Sequence, residues 1–508
     1  MNSSKPNVCM LVYNTFRPDI RVLKEAKTLD ALGCRVRVLA LSDQAFPERE
    51  TFGRVRLQRI MRNPFHYRMI ARLKKSKNVL TAPVIPNATP DPDAGADESL
   101  VQSRTDMIFK KILLLSVVII VVSCAAWFMI PADKFWPWML AVPALAALMA
   151  IAGRRPIWRF WTILWRKTRR RLKSALIRTA KFFLFPGHKL FSYCDFYKRS
   201  SAVLRENPAD IYHAHDLNTL PVAWWCARRQ GALLVYDSHE LFTEAGLLGG
   251  LEKKIWARIE RRLIKKCDLV ITVCESIASE LQQRYKINPP VVLRNCPQKN
   301  TVPLQRDLIR QAAGIDAGIP VVLYQGGFAP NRGLRNLILS VRYFKRGKLV
   351  MMGWGNMEGD LREFARENGL EDSVVFIPPA PQKDLLSWSA SADVGVIPYR
   401  AVSLNNYYTC PNKLFEYINS GLPVAGSNFP EIRKILEGWK AGKTFDPQDP
   451  EDIARAINHI IGDSEIAAEM RANALEAARE LNWEHESRKL TAAYADLKNH
   501  AGKNTKTK

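Results

Sequence analysis

The run TCPNKLFEYINSG, Thr409 to Gly421, sets Lys413 and Glu416 three residues apart just after a proline. Pro411 suits the start of a helix, where the first amides lack intrahelical partners and point at an anion, and Lys413 adds a positive charge there. Glu416, one turn further on, offers two acceptor oxygens that suit the paired hydroxyls of a ribose. Phosphate on the lysine and ribose on the glutamate would describe a nucleotide handle. The competing reading of the same two residues is an ordinary (i, i+3) surface ion pair.

Other residues of matching chemistry stand where strands should end. In YQGGFAPNRG, Gly326 and Gly327 allow close approach of a ligand to the backbone, and Arg332, opening the next helix, is a fork-shaped phosphate donor. MMGWG supplies Gly353, and VVFIP supplies backbone near Phe376 that suits a base. In the first half, HAHD carries His213, His215 and Asp216, and DSHE carries His239 and Glu240. Histidines beside acids suit metal ligation, but their spacing also follows strand alternation, which sends His213 and His215 to one face. One of the two is expected to be structural and the other to reach a cleft.

These residues are positioned by an alternation of apolar strands and amphipathic helices, the pattern of parallel α/β layers. VCMLVY, a helix from about Asp19 to Leu32 with Val22, Ala26 and Leu29 inward, VRVLAL, DIYHAHD, LLVYDSHE, CDLVITVCE and PPVVLRN build one unit. VVLYQGG, KLVMMGWG, VVFIP, DVGVIPY and LPVAGSN build a second, with a hinge expected over Asn295 to Asp307. Two such units facing each other put strand carboxyl ends on both sides of a cleft.

The charge is local. The 508 residues carry a formal +26, and between Arg154 and Arg199 there are 14 Lys or Arg against one acid, Asp195. This cationic stretch follows Ile112 to Ile130, 19 uncharged residues that span about 28 Å as a helix, and a second apolar run, Phe135 to Ala152. The expectation is a membrane hairpin with Lys110, Lys111, Arg154 and Arg155 on the cytosolic side, followed by a basic amphipathic helix on anionic lipid. MNSSKPNVCMLVY lacks the build of a signal peptide. Nine scattered cysteines without CxxC read as reduced, buried thiols.

Taken in order, HAHD, DSHELFTE, GGFAPNRG, PNKLFEYINSGLPV and LNWEHESRKLTAAY resemble the family-4 glycosyltransferases, over roughly Lys5 to Ile60 and Pro208 to Leu497. The resemblance implies an α/β GT-B fold: two Rossmann-like parallel-sheet domains facing a cleft, here with an inserted helical membrane hairpin. The first domain would occupy 1–75 and 201–300, interrupted by an insert over 76–200. The insert comprises a linker (80–108), the hairpin (112–152) and the basic helix (155–185). A nucleotide-sugar-binding domain would follow over 301–480, then a helix crossing back over 481–500 and a tail over 501–508.

The family's chemistry is retaining transfer of a sugar from a nucleotide donor, UDP- or GDP-linked, with no cofactor or metal. By resemblance His215 and Glu416 act at the reaction, and Gly326, Gly327, Arg332, Asn412, Lys413 and Gly353 hold the donor. Asp19, Arg21, Asp216, His239, Glu240 and Tyr408 are candidate sugar or acceptor contacts. Tyr408 stands where the family has the first of two paired glutamates, and Gly327 where many members have an arginine. The hairpin adds the expectation of a lipid-linked or membrane-proximal acceptor, both soluble domains on the cytosolic face of the inner membrane, and no nucleic-acid partner. A nucleotide-sugar epimerase and a degenerate scaffold are the alternatives; a hydride-transferring dehydrogenase is less favoured, because the first strand runs into NTFRPD and not GxGxxG.

Overall fold

Parallel strands buried on both faces require nearly continuous apolar runs, and most of the fourteen strands that the described residues form in two sheets follow from such runs. A computed structural model describes residues 5–16, 19–42, 45–64, 67, 188–246, 248–299 and 307–504. The first sheet is built from β1 (Asn7–Leu11), β2 (Arg35–Leu41), β3 (Arg49–Phe52), β4 (Val55–Ile60), β5 (Ile211–His215), β6 (Leu233–Ser238), β7 (Leu269–Thr272) and β8 (Val291–Val292). Its order is β3-β4-β2-β1-β5-β6-β7-β8, and β3, antiparallel to β4, closes one edge. The second sheet contains β9 (Val321–Gly327), β10 (Lys348–Trp354), β11 (Val374–Ile377), β12 (Val394–Ile397), β13 (Val424–Ser427) and β14 (Gly442–Phe445), in the order β11-β10-β9-β12-β13-β14.

The strand order reverses between β1 and β5 in one sheet and between β9 and β12 in the other. Such switch points open a crevice at strand carboxyl ends. His215 ends β5, while Gly326 and Gly327 end β9, so the candidate residues of the two halves stand at the two crevices.

Helix Ile20–Ala31 buries Val22, Ala26 and Leu29 as the periodicity requires, and the Asp19 carboxylate caps it by accepting from the Val22 amide at 3.2 Å. The strands β3, β4 and β14 were not legible: Arg49–Phe52 is polar and solvated, and Gly442–Phe445 is a short edge strand. The insert ends sooner than the expected residue 200. Helix His188–Glu206 belongs to the first domain, burying Phe196 and Leu204 in its core. Cys194 on that helix is exposed, against the expectation of buried thiols.

Helix Trp483–Asn504 lies at the end of the second domain's sequence but packs Trp483, Leu490, Tyr494 and Leu497 into the first domain's core beside Val22, Ala26 and Leu29. Trp483 Nε1 donates to Thr28 Oγ1 at 3.2 Å. The lobes also meet directly. The Leu241 amide donates to Asn405 Oδ1 at 2.8 Å, and the Ser276 amide donates to Glu431 Oε1 at 2.7 Å. Glu431 thus caps helix Glu275–Tyr285 from the opposite domain, because Cys274 at that helix start supplies no side-chain cap.

The hairpin (112–152), the linker (80–108), the basic helix (155–185) and most of the hinge lie outside the described residues. Among the described residues no helix is long and apolar enough to cross a membrane. Truncating the crossing helix should loosen both lobes. Leu490→Ala, at a fully buried position, is expected to cost about 2–5 kcal/mol, read as a lower urea midpoint for the first domain.

Candidate active site

In the second domain the sequence brings a lysine into the protein interior without an ion-pair partner. Lys413, in the first turn of helix Asn412–Asn419, is 7% exposed, and its ammonium has no hydrogen-bond partner. It sits over the Tyr324 ring at 3.8 Å and 5.2 Å from that of Tyr399. Burial, with Arg332 alongside, pushes the Lys413 ammonium well below the usual lysine range. Arg332 itself is stacked on Tyr399, its guanidinium carbon 4.2 Å from the ring centre. Two cations therefore converge on one spot, held by aromatic faces.

The ion pair that the (i, i+3) spacing offered does not form. Glu416 turns instead to Gln325, whose Nε2 donates to Glu416 Oε2 at 2.6 Å, while Gln325 Oε1 accepts from Ser389 Oγ at 2.6 Å. Burial raises the Glu416 carboxyl above its ordinary range, with the Gln325 bond, Lys413 and, from the first domain, Lys24 opposing. The glutamate is thus held in place by a neutral amide and keeps acceptor capacity for another donor.

Glycine is needed at two positions. Gly326 has φ +121°, and a Cβ there would stand 3.3 Å from Lys413 Nζ. Gly353, paired with Gly326 across β9 and β10, leaves so little room that a Cβ would meet the Gly326 carbonyl oxygen at 2.0 Å. Gly327, by contrast, has space for a side chain, the nearest atom being the Trp354 carbonyl oxygen at 3.9 Å.

Several expectations are corrected. Pro411 stands one residue before the helix, and Asn412 faces solvent, its Oδ1 accepting from Asn295 Nδ2 at 3.0 Å. Arg332 does not open a helix but closes the turn Pro330–Arg332. Tyr408 leans on the first domain's core, and its carbonyl accepts from Cys274 Sγ at 3.3 Å. Glu240 is tied to Asn405 Nδ2 at 3.2 Å, an interlobe contact.

In the first domain the expected cleft histidine is buried. His215 is 2% and His213 0% exposed, and their rings stack at 4.3 Å. Both belong to a buried polar cluster whose other members sequence reading missed: Glu25 and Asp237. Arg21, expected as a sugar contact, is instead the cluster's fixed cation, with NH2 at 2.9 Å from Asp237 Oδ1, Nε at 3.0 Å from Glu25 Oε1, and NH1 donating to the Leu293 carbonyl at 2.8 Å. Glu25, His213, His215 and Asp237 could converge on a metal ion. Arg21, however, already holds both oxygens of Asp237 by hydrogen bonds and lies within ion-pair distance of Glu25. His213 Nδ1 is paired with the Tyr494 hydroxyl at 2.8 Å, which ties the crossing helix to the cluster.

His239 lies at the open side of this cluster. Its Nε2 is 3.1 Å from Asp237 Oδ2 and 3.1 Å from His215 Nδ1, its Nδ1 is 3.5 Å from Asp216 Oδ2, and its amide donates to Asp216 Oδ1 at 3.1 Å. Asp216 is bent into the left-handed region, φ 63°, to reach it. Burial opposes a charged imidazole here, but Asp216 and Asp237 outweigh it and push His239 up to about 10, whereas burial lowers His215. Burial alone would raise Asp237, but Arg21 and His239 hold it well below the usual carboxylate range. A charged His239 against a neutral His215 is the cluster's working arrangement.

Two facing parallel-sheet domains joined by a crossing helix, with a buried cation pair at one switch point and a histidine cluster at the other, make the GT-B architecture. Comparison gives the same class. A sequence model for "Glycosyl transferase 4-like domain" matches residues 139–296, and one for "Glycosyl transferases group 1" matches 319–463. D-inositol 3-phosphate glycosyltransferase of Thermobispora bispora is 25% identical over 331 residues, covering 61% of this chain and 76% of that one. Sucrose-phosphate synthase from Thermosynechococcus elongatus shares the fold at TM-score 0.65 and 16% identity, over 98% of this chain and 100% of that one. Anabaena HepE, solved in complex with UDP, matches at TM-score 0.51 and 19% identity, over 63% and 89%. The chain is a glycosyltransferase, an enzyme that transfers glycosyl groups.

Two outcomes follow from the electrostatics. Lys413→Met removes a buried amine that has no hydrogen-bond partner and whose charged form burial disfavours, and should stabilise the ligand-free chain by about 1–3 kcal/mol, while weakening a nucleoside diphosphate at least about tenfold through loss of a charge-assisted contact. Thermal shift and calorimetry read both. For His239 the folded pKa lies above the ordinary value near 6.5, so its stabilisation is complete below about 6.5 and is lost as pH rises through about 10. The stability gap between the parent and His239→Gln, measured by denaturation, should therefore shrink across that window; a constant gap contradicts the assignment.

Proposed function

We propose that the chain transfers a sugar from a nucleoside diphosphate donor, with retention at the anomeric carbon, to a lipid-linked or membrane-proximal acceptor. The observation that carries the donor half is Lys413: a buried ammonium with no hydrogen-bond or ion-pair partner, beside Arg332 and against Gly326, is complete only when an anion arrives. A diphosphate supplies that anion, and Glu416, set one turn along the helix, takes the ribose hydroxyls. Gly353 and Gly326 keep the floor of the site at backbone level, so that phosphate oxygens can approach.

As the glycosidic bond breaks, negative charge grows on the departing diphosphate. Fixed cations and the free amides at the start of helix Asn412–Asn419 are already aimed there, so no reorganisation is needed at that moment. On the other lobe we assign the sugar side to His239, at the open side of the cluster, with His215 behind it, kept neutral by burial and with its Nε2 unpartnered. In this front-face reading the leaving phosphate helps deprotonate the acceptor hydroxyl, and no side chain is assigned as nucleophile.

UDP is the favoured handle because HepE, which shares the fold, was solved with it. The acceptor half rests on the apolar and cationic sequence between residues 112 and 185. Membranes containing the protein, given labelled UDP-sugars and then extracted, should show label in lipid. That label should fall at least about a hundredfold in Glu416→Ala and Arg332→Ala, each removing a transition-state contact of roughly 3 kcal/mol. Label appearing only in a water-soluble phosphorylated alcohol would replace the acceptor half; unchanged labelling in both variants would overturn the donor half.

A further inference from the structure

We infer that helix Gly250–Leu263 of the first domain, with the turn Ile264–Lys266 that continues it, is a docking face for an anionic membrane surface. The helix is amphipathic in an unusual sense. Trp256 and Glu260 point into the domain, Glu260 being satisfied by the Tyr236 and Tyr285 hydroxyls at 2.9 and 2.6 Å. The opposite side exposes Lys254, Arg258, Arg261, Arg262, Lys265 and Lys266 together with Leu251 and Ile255. At 3.6 residues per turn these positions fall within an arc of about 140°.

That face is not covered or neutralised by the domain. Among the described residues none of the six cations has an acidic partner. Leu251 is 73% and Ile255 47% exposed, large values for aliphatic side chains in a row of cations. Both apolar residues lie in the first two turns, and Lys253 ties that end to Glu244 at 2.7 Å. Just before it, the Leu241 amide meets Asn405 of the other lobe. The apolar end is therefore the end nearer this interlobe contact.

An occupant must offer negative charge along the stripe and hydrocarbon at one end. The chain's own stretch from Arg154 to Arg199, with 14 cations and one acid, carries the same sign and cannot complement it. A nucleic acid would satisfy the cations but leave Leu251 and Ile255 without a use. The headgroup layer of an anionic bilayer meets both demands, with Leu251 and Ile255 dipping toward the acyl boundary and the cations in the phosphate plane.

The test reads this face alone, since other parts of the full chain bear on overall membrane attachment. The full-length protein carrying Cys194→Ser and Ile255→Cys is labelled with an environment-sensitive fluorophore and reconstituted in phosphatidylglycerol-rich or phosphatidylcholine vesicles. The Cys194→Ser protein treated in the same way is the blank. Emission at position 255 should move to shorter wavelength and be quenched by lipid-borne spin labels in the anionic vesicles only. The effect should weaken with salt and be lost when Lys254, Arg258, Arg262 and Lys265 are changed to glutamate, while retained UDP binding shows that this variant folds. No shift in anionic vesicles overturns the inference, as does a shift produced by RNA but not by lipid. Because fluorescence reports contact whether or not sugar is transferred, failure here leaves the donor site untouched.

Discussion

A lysine amine placed inside a protein without a hydrogen-bond or ion-pair partner is the constraint around which the second domain is organised. Lys413 could have paired with Glu416 one turn away, and the helix spacing invites it. The pairing is prevented because Gln325 takes the carboxylate, itself fixed by Ser389, while Tyr324 and Tyr399 hold the ammonium against their faces. Cation–π contact compensates only part of the desolvation. The balance is left for a ligand, which is how a site can trade stability of the empty protein for affinity.

The first domain solves the reverse problem. It collects charges and closes the account internally: Arg21 against Asp237 and Glu25, His239 against Asp216 and Asp237. What remains without a hydrogen-bond partner is the Glu25 carboxyl, which faces Arg21 only as an ion pair, and the Nε2 atoms of His213 and His215. The two lobes are thus a prearranged polar wall and an unsatisfied cationic wall. Contacts such as Ser276 to Glu431 and Leu241 to Asn405 join the lobes, and the crossing helix, through Tyr494 and His213, anchors the wall itself.

Much of this was readable in the residues. Apolar runs gave eleven of the fourteen strands among the described residues, because a strand buried on both faces has no freedom to be polar; Arg49–Phe52, at a solvated edge, has that freedom and hid. Lys413, Glu416, Gly326 and Gly353 were legible since each needs a particular chemistry at a strand or helix end. Glu25, Asp237, Gln325 and Tyr399 were not, although Asp237 sits between two buried positions in LLVYDSHE, an acid in an apolar strand that signals a buried partner. Arg21 was recognised but misassigned: its partner lies 216 residues away, and no local spacing shows that.

The central claim, that Lys413 waits for a diphosphate, can be measured through its proton. Burial holds its ammonium well below the usual lysine range in the empty site, and an arriving diphosphate restores the charge. Titration of UDP calorimetrically in buffers of different ionisation enthalpy, at mildly alkaline pH where the terminal phosphate (second pKa about 6) is already ionised, counts protons taken up on binding. The account predicts net uptake of a fraction of a proton in the parent protein and none in Lys413→Met. Binding with no proton uptake in either, or equal uptake in both, would contradict it.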